Sequence, residues 1–154
     1  MRRPPVLVIL AISMAALPRA AVAAASCKIT VTAPASFGNY NPFNSGDTTT
    51  VASLNVTCTS YTGTYTISLA AGTYGTIPNR EMAKVGATGK KMSYELYQDA
   101  AHAILWGNGT NGQKLSGSCS ASCNTTYPVY GDISAGQNPV TGSYTSSVTA
   151  TLTY

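Results

Sequence analysis

The sequence predicts an all-β protein, an antiparallel β-sandwich, and three observations carry that prediction. Apolar residues recur with a period of two in successive short stretches, the mark of half-buried strands. Turn-forming Gly, Asn, Pro and Asp separate these stretches at roughly regular spacing. No window of useful length shows the 3.6-residue period of an amphipathic helix, and Thr, Ser, Val and Tyr outweigh the helix formers.

Each element can be justified in chain order. "CKITVT" is a short strand ended by Pro34, and "FGNYNPFNSGD" carries a concentration of turn residues. "TVASLNVTC" sets Ala52, Leu54, Val56 and Cys58 on one face, and "TYTISLA" does the same with Tyr65, Ile67 and Leu69. Residues 72–90 read as a long polar loop. "KMSYELYQ" then presents Met92, Tyr94 and Leu96 on one side, and "HAILWGNG" is a short apolar run closed by a strong turn signal. "TYPVYGDI" places Tyr127, Val129 and Gly131 in phase, with Pro128 marking an edge or bulge position. The last twelve residues, "SYTSSVTATLTY", read as one half-buried strand with Tyr144, Val148, Ala150, Leu152 and Tyr154 on its apolar parity. No second domain and no internal repeat is visible.

The first residues read as a secretory signal. Arg2 and Arg3 form a positive start, residues 6–17 are apolar, Pro18 breaks the run, and "AVAAAS" offers small residues for cleavage. The apolar stretch is shorter than the ~20 residues a membrane span requires. The expected division is a signal peptide at residues 1–23, with cleavage between 15 and 25, and a single domain at 24–154. Removing Arg2, Arg3 and Arg19 from nine basic residues leaves six against five acids, a net charge of +1. No basic stripe remains to neutralise phosphates, so nucleic acid is not an expected partner. Only 20 Leu, Ile, Val and Phe residues follow Ala23, so the ten tyrosines and any disulfides must supply part of the core.

The exported context points the four cysteines, Cys27, Cys58, Cys119 and Cys123, toward disulfides. Three pairings are possible. The simplest closes "CSASC" on itself and leaves Cys27 to join Cys58 across two early strands. Zinc ligation competes with this reading, although the single histidine, His102, is distant in sequence; no metal or cofactor site is expected.

No catalytic set emerges. Ser, His and Asp occur, but no Ser sits in a Gly-x-Ser-x-Gly elbow. His102 reads as a solvated turn residue. Glu95 and Asp99 are the nearest carboxylate pair of the glycosidase kind, yet Glu95 lies on the polar parity of its strand, where solvent accounts for it. Trp106 reads as a core residue anchoring a strand end, with stacking on a sugar or another subunit as the sharper alternative. An enzyme is not expected.

In order along the chain, "FGNYNP", "YTISLAAG", "REM", "MSYELYQDAAHAILWGNG", "VYGDISAGQ" and "YTSSVTATLTY" make the region from Cys27 to Tyr154 resemble the spore coat protein U domain. That domain is the building block of archaic chaperone–usher pili. The resemblance implies an immunoglobulin-like sandwich lacking its last strand, with a hydrophobic groove beside the C-terminal strand. It implies that Val148, Ala150, Leu152 and Tyr154 would touch a donor strand. The implied partners are a periplasmic pilus chaperone, an outer-membrane usher and other pilus subunits joined by strand exchange, with display on the cell surface. Cleavage at Ala23 would leave "AAS" before Cys27, too short to donate a strand; cleavage after Ala15 would leave "ALPRAAVAAAS". The alternative functions are a tip adhesin or ligand-binding module, and a self-complete monomeric coat or envelope protein.

Overall fold

The computed structural model describes residues 23–154. The expected signal peptide, residues 1–23, lies outside them except for its last residue. Ten strands follow: β1 (Ser26–Ala33), β2 (Thr48–Thr59), β3 (Gly63–Leu69), β4 (Tyr74–Gly75), β5 (Arg80–Lys84), β6 (Ala87–Tyr97), β7 (Leu115–Cys119), β8 (Ser122–Ile133), β9 (Tyr144–Thr145) and β10 (Ala150–Thr153). Every ladder is antiparallel, and the described residues contain no helix. One sheet runs β1-β2-β8-β6-β5-β4, with β9 added to β5; the other runs β10-β3-β7.

The alternation in the sequence becomes the core. Ala52, Leu54, Val56 and Cys58 of β2, Tyr65, Ile67 and Leu69 of β3, and Met92, Tyr94 and Leu96 of β6 are all buried and form one cluster with Val129 and Ile133 of β8. Side chains of a strand alternate between its faces, so one parity of each strand meets the facing sheet. Val56 and Ile67 are fully buried, each stabilising the fold by about 1.5–3 kcal/mol relative to exposure. Pro128 lies opposite Ser53 of β2. The β6 ladder reaches β8 only from Tyr130 to Asp132, so Pro128 sits where β8 is flanked by β2 alone, an edge position as its chemistry requires.

Three expectations need correction. Residues 72–90 are not a single polar loop: β4, β5 and the start of β6 lie within them. The apolar signal there was short, because β5 contributes Met82 and Ala83 to the interior beside the charged Arg80. The terminal twelve residues are not one strand. β9 pairs with β5 in the first sheet, β10 pairs with β3 in the second, and residues 146–149 cross between them. A single parity persists through the crossing because Tyr144, Val148, Ala150 and Leu152 all pack against the same core. Glu95 does not serve solvent; it pairs with a buried arginine, described below.

Trp106 is fully buried, and its indole N–H donates to the Ile67 carbonyl at 3.1 Å. The turn after it explains the placement. Asn108 Oδ1 accepts from the backbone N–H groups of Thr110 and Asn111 at 3.0 and 2.8 Å. Gly107 lies so close to the Asn111 carbonyl that a Cβ there would collide with backbone.

Candidate functional site: the cleft between β1 and β10

β1 hydrogen-bonds to β2 along one edge, from Ser26↔Thr59 to Ala33↔Ser53. β10 hydrogen-bonds to β3 along one edge, from Ala150↔Leu69 to Thr153↔Thr66. Among the described residues no strand pairs with the other edge of either. The two free edges belong to different sheets, and between them runs a cleft of about 1010 Å3. Ile29 and Val31 line it from β1, and Val148 and Ala150 from the chain leading into β10. Its floor is the core: Leu54, Met92, Tyr94, Leu96 and Val129 all reach it. The segments 33–40 and 139–146 flank it. Phe37 packs edge-on against Tyr94, with ring centroids 6.0 Å apart. Val31 stands 63% exposed beside this floor.

Two rows of unpaired backbone N–H and C=O groups above an apolar floor make a receptor for an extended strand. Backbone groups of an added strand would complete the ladders, and its alternate side chains would fill the floor. Among the described residues no charged group lines the cleft. Burial pushes the Tyr94 phenol above its usual range, so it remains neutral at physiological pH.

The sequence-expected groove residues divide. Val148 and Ala150 line the cleft. Leu152 is half-buried against the core opposite Ile67. Tyr154 is 53% exposed and stacks edge-on upon Tyr61, centroids 5.4 Å apart. The lining stops at Ile29 on β1 and at Ala150 on β10. The opposite wall, Ile29 and Val31, was legible as the alternation Cys27, Ile29, Val31. The flanking Phe37 and Tyr40 carried no periodic signal.

Two disulfides brace this region. Cys27–Cys58 joins β1 to β2, and Cys119–Cys123 closes the turn between β7 and β8. The first ties a wall of the cleft to the body of the sheet.

The remaining polar candidates hold structure together. Arg80 is fully buried, and its Nη1 donates to Glu95 Oε2 at 2.7 Å. Its Nε donates to the Ala70 carbonyl at 3.0 Å and its Nη2 to the Trp106 carbonyl at 2.8 Å. The Arg80 backbone N–H donates to Glu95 Oε1 at 2.8 Å. Burial holds the Glu95 carboxyl above its usual range, against the lowering effect of Arg80. Asp99 accepts from the backbone N–H groups of Ala103 and Ile104, which lower its pKa. Glu95 and Asp99 are thus each engaged by structural donors. His102 is half-buried with its ring 5.0 Å from that of Tyr97, rather than solvated as the sequence suggested. Sequence reading missed Arg80; a lone arginine among polar residues gives no sign that its partner lies on the next strand.

This two-sheet antiparallel β-sandwich, with free edges on β1 and β10 among the described residues, is an immunoglobulin-like fold. The chain belongs to the Spore Coat Protein U domain family, which it matches over residues 13–151. It is 36% identical over 129 residues to Protein U of Myxococcus xanthus, covering 77% of this chain and 70% of that protein. Among solved structures, the crystal structure of the CsuC–CsuE chaperone–tip adhesion subunit pre-assembly complex, from archaic chaperone–usher Csu pili of Acinetobacter baumannii, is similar with a TM-score of 0.59 and 18% identity. That match covers 84% of this chain and 40% of the other. A chaperone–tip adhesin complex of CFA/I fimbriae is similar with a TM-score of 0.54 and 17% identity, over 82% of this chain and 41% of the other. These two likenesses are of fold, and this chain spans about two fifths of each of those structures.

Proposed function

We propose that this protein is a structural subunit of a surface fibre, exported by its N-terminal signal and assembled by donor-strand complementation. The observation that carries this reading is the cleft: among the described residues, two strand edges without partners stand above an apolar floor. A periplasmic pilus chaperone lends the first occupant, and the extension of a neighbouring subunit replaces it at the outer-membrane usher. A strand along the full cleft gains many backbone hydrogen bonds, each worth a net ~0.5–1.5 kcal/mol. It also gains apolar burial at about 25 cal/mol per Å2. These contacts must fail together for the joint to open, so the linkage is slow to dissociate. The work is mechanical and requires no catalytic group.

Val31 provides the test. It is largely exposed in the lone chain, so Val31→Asp leaves the thermal melt of that chain almost unchanged. In a filled cleft the same carboxylate is buried without a partner. The experiment co-expresses the chain with a periplasmic pilus chaperone and measures periplasmic recovery and co-purification. Loss of the complex for Val31→Asp, with capture retained for Lys28→Asp on the other face of β1, supports the proposal. Equal recovery of both variants, or a chain that accumulates as a stable monomer without chaperone, sinks it in favour of a self-complete coat protein.

A further inference from the structure

Four sulfur atoms meet at the end of the sandwich away from the flanking segments of the cleft. The strand register places Cys27 of β1 opposite Cys58 of β2, and Cys58 opposite Cys123 of β8. Directly opposed residues of antiparallel strands project from the same face. Three cysteines therefore stand in one row across three neighbouring strands. The fourth, Cys119, arrives from the other sheet, at the end of β7 opposite Gly63 of β3. The Sγ atoms of Cys58, Cys119 and Cys123 all lie within 4.8 Å of one another, and Cys27 Sγ is bonded to that of Cys58. Cys58 and Cys119 are buried, whereas Cys27 and Cys123 are half-buried and leave a path for a small ion.

Two separate disulfides have no need to share one site. Four thiolates gathered from two sheets are the donor set of a structural zinc centre. Its Zn–S bonds of ~2.3 Å imply sulfur–sulfur spacings of about 3.8 Å in a tetrahedron. Closing to that spacing requires rotation of the cysteine side chains once the S–S bonds are absent. We infer that the thiol form of this chain binds one soft divalent cation of the zinc class through Cys27, Cys58, Cys119 and Cys123. Coordination forms four metal–sulfur bonds and releases the four thiol protons. Oxidation reverses it: each cysteine pair passes two electrons to an external disulfide, which leaves as two thiolates, and the cation departs. Metal and disulfides are then alternative fastenings of the same strands, and the metal-bound form holds β1 in register before oxidation. The inference stands apart from the fibre assignment, since it concerns sulfur positions and not the cleft.

The test reduces the full chain with a phosphine under anaerobic conditions, removes the reductant, and titrates with Co2+ followed by Zn2+. The expected result is one Co2+ per chain, with thiolate charge-transfer absorption and the visible bands of a tetrahedral four-thiolate site, displaced by Zn2+. Cys27→Ser and Cys119→Ser should each weaken binding by more than the roughly 10–100-fold that changes outside the ligand shell cost. The oxidised chain should bind none. The spectrum of the unaltered chain decides the matter even where a variant does not fold. Absence of a thiolate band, undiminished binding by Cys27→Ser, or equal binding by the oxidised chain would each overturn the inference.

Discussion

The joint around Arg80 and the cleft between β1 and β10 show two ways in which one sandwich treats its interior. At Arg80, a fully buried guanidinium and its backbone N–H tie β5 to Glu95 of β6 and to the carbonyls of Ala70 and Trp106. At the cleft, Val31 stands largely exposed beside the floor formed by Leu54, Leu96 and Val129, and no ladder joins the two flanking strands among the described residues. The first region spends polar groups on a single fixed arrangement. The second leaves two strand edges and an apolar floor without a partner strand among the described residues. A core thin in Leu, Ile, Val and Phe survives this division because the Arg80 network and the disulfides make rigid what apolar burial alone does not.

The largest expected effect tests the closed joint. Arg80→Met removes the donor of three carbonyls, those of Leu69, Ala70 and Trp106, and leaves Glu95 without its guanidinium. Breaking a buried pair from one side costs about 3–5 kcal/mol, enough to unfold a small domain with ordinary stability. Urea unfolding of the chain should show this loss. The double change Arg80→Met with Glu95→Leu should recover part of it, because the uncompensated charge is gone. Recovery of nothing would mean that the carbonyl contacts, and not the ion pair, carry the joint.

A smaller effect belongs to the open region. Cys27→Ser together with Cys58→Ser frees β1 from a loop with a sequence separation of 31, worth about 3–4 kcal/mol by loop entropy, less any structure kept in the unfolded chain. Hydrogen exchange should show the loss concentrated in β1, with β3 and β6 protected as before. Uniform loosening of the sandwich would contradict the separation of the two regions drawn here.

The smallest effect is one of pH. Asp132 is buried on β8, and its Oδ1 has no hydrogen-bond partner among the described residues. Burial, with Asp47 nearby, raises its pKa, while His102 lowers it. The folded state therefore holds this proton more tightly than the unfolded state. The contribution of Asp132 is most favourable below the ordinary aspartate range and is lost as pH rises from there through the raised value. Asp132→Asn should flatten part of that fall in thermal melts taken across the acid range. Glu95, whose carboxyl is raised in the same direction, adds to the residual slope, and Asp99, held low by the backbone N–H of Ile104, opposes it. An unchanged profile would remove Asp132 from the account.

Much of the fold was legible in the residues. The alternations in β2, β3 and β6 named ten core positions, and all ten are buried. Trp106 was read as an anchor and is one. The site was legible in part: the parity of the last residues picks out Val148 and Ala150, which line the cleft, but also Leu152 and Tyr154, which the lining does not include. Parity reports the face on which a side chain lies and says nothing of how far a strand stays open along its length. The crossing at residues 146–149 was invisible for the same reason, since a segment that changes sheets while facing one core keeps its alternation. The role of Glu95 was misread because a polar parity looks the same whether it faces water or a buried cation.

By itself the sequence determined the strands, their inward faces and the cysteines available for cross-linking, because a period of two is a local property written residue by residue. Only the tertiary structure decided which edges remain unpaired, which carboxylate meets Arg80, and that sulfurs from two sheets share one site. Those are facts about strand neighbours. Neighbours follow from long-range register and sheet order, and a single strand carries no local mark of either.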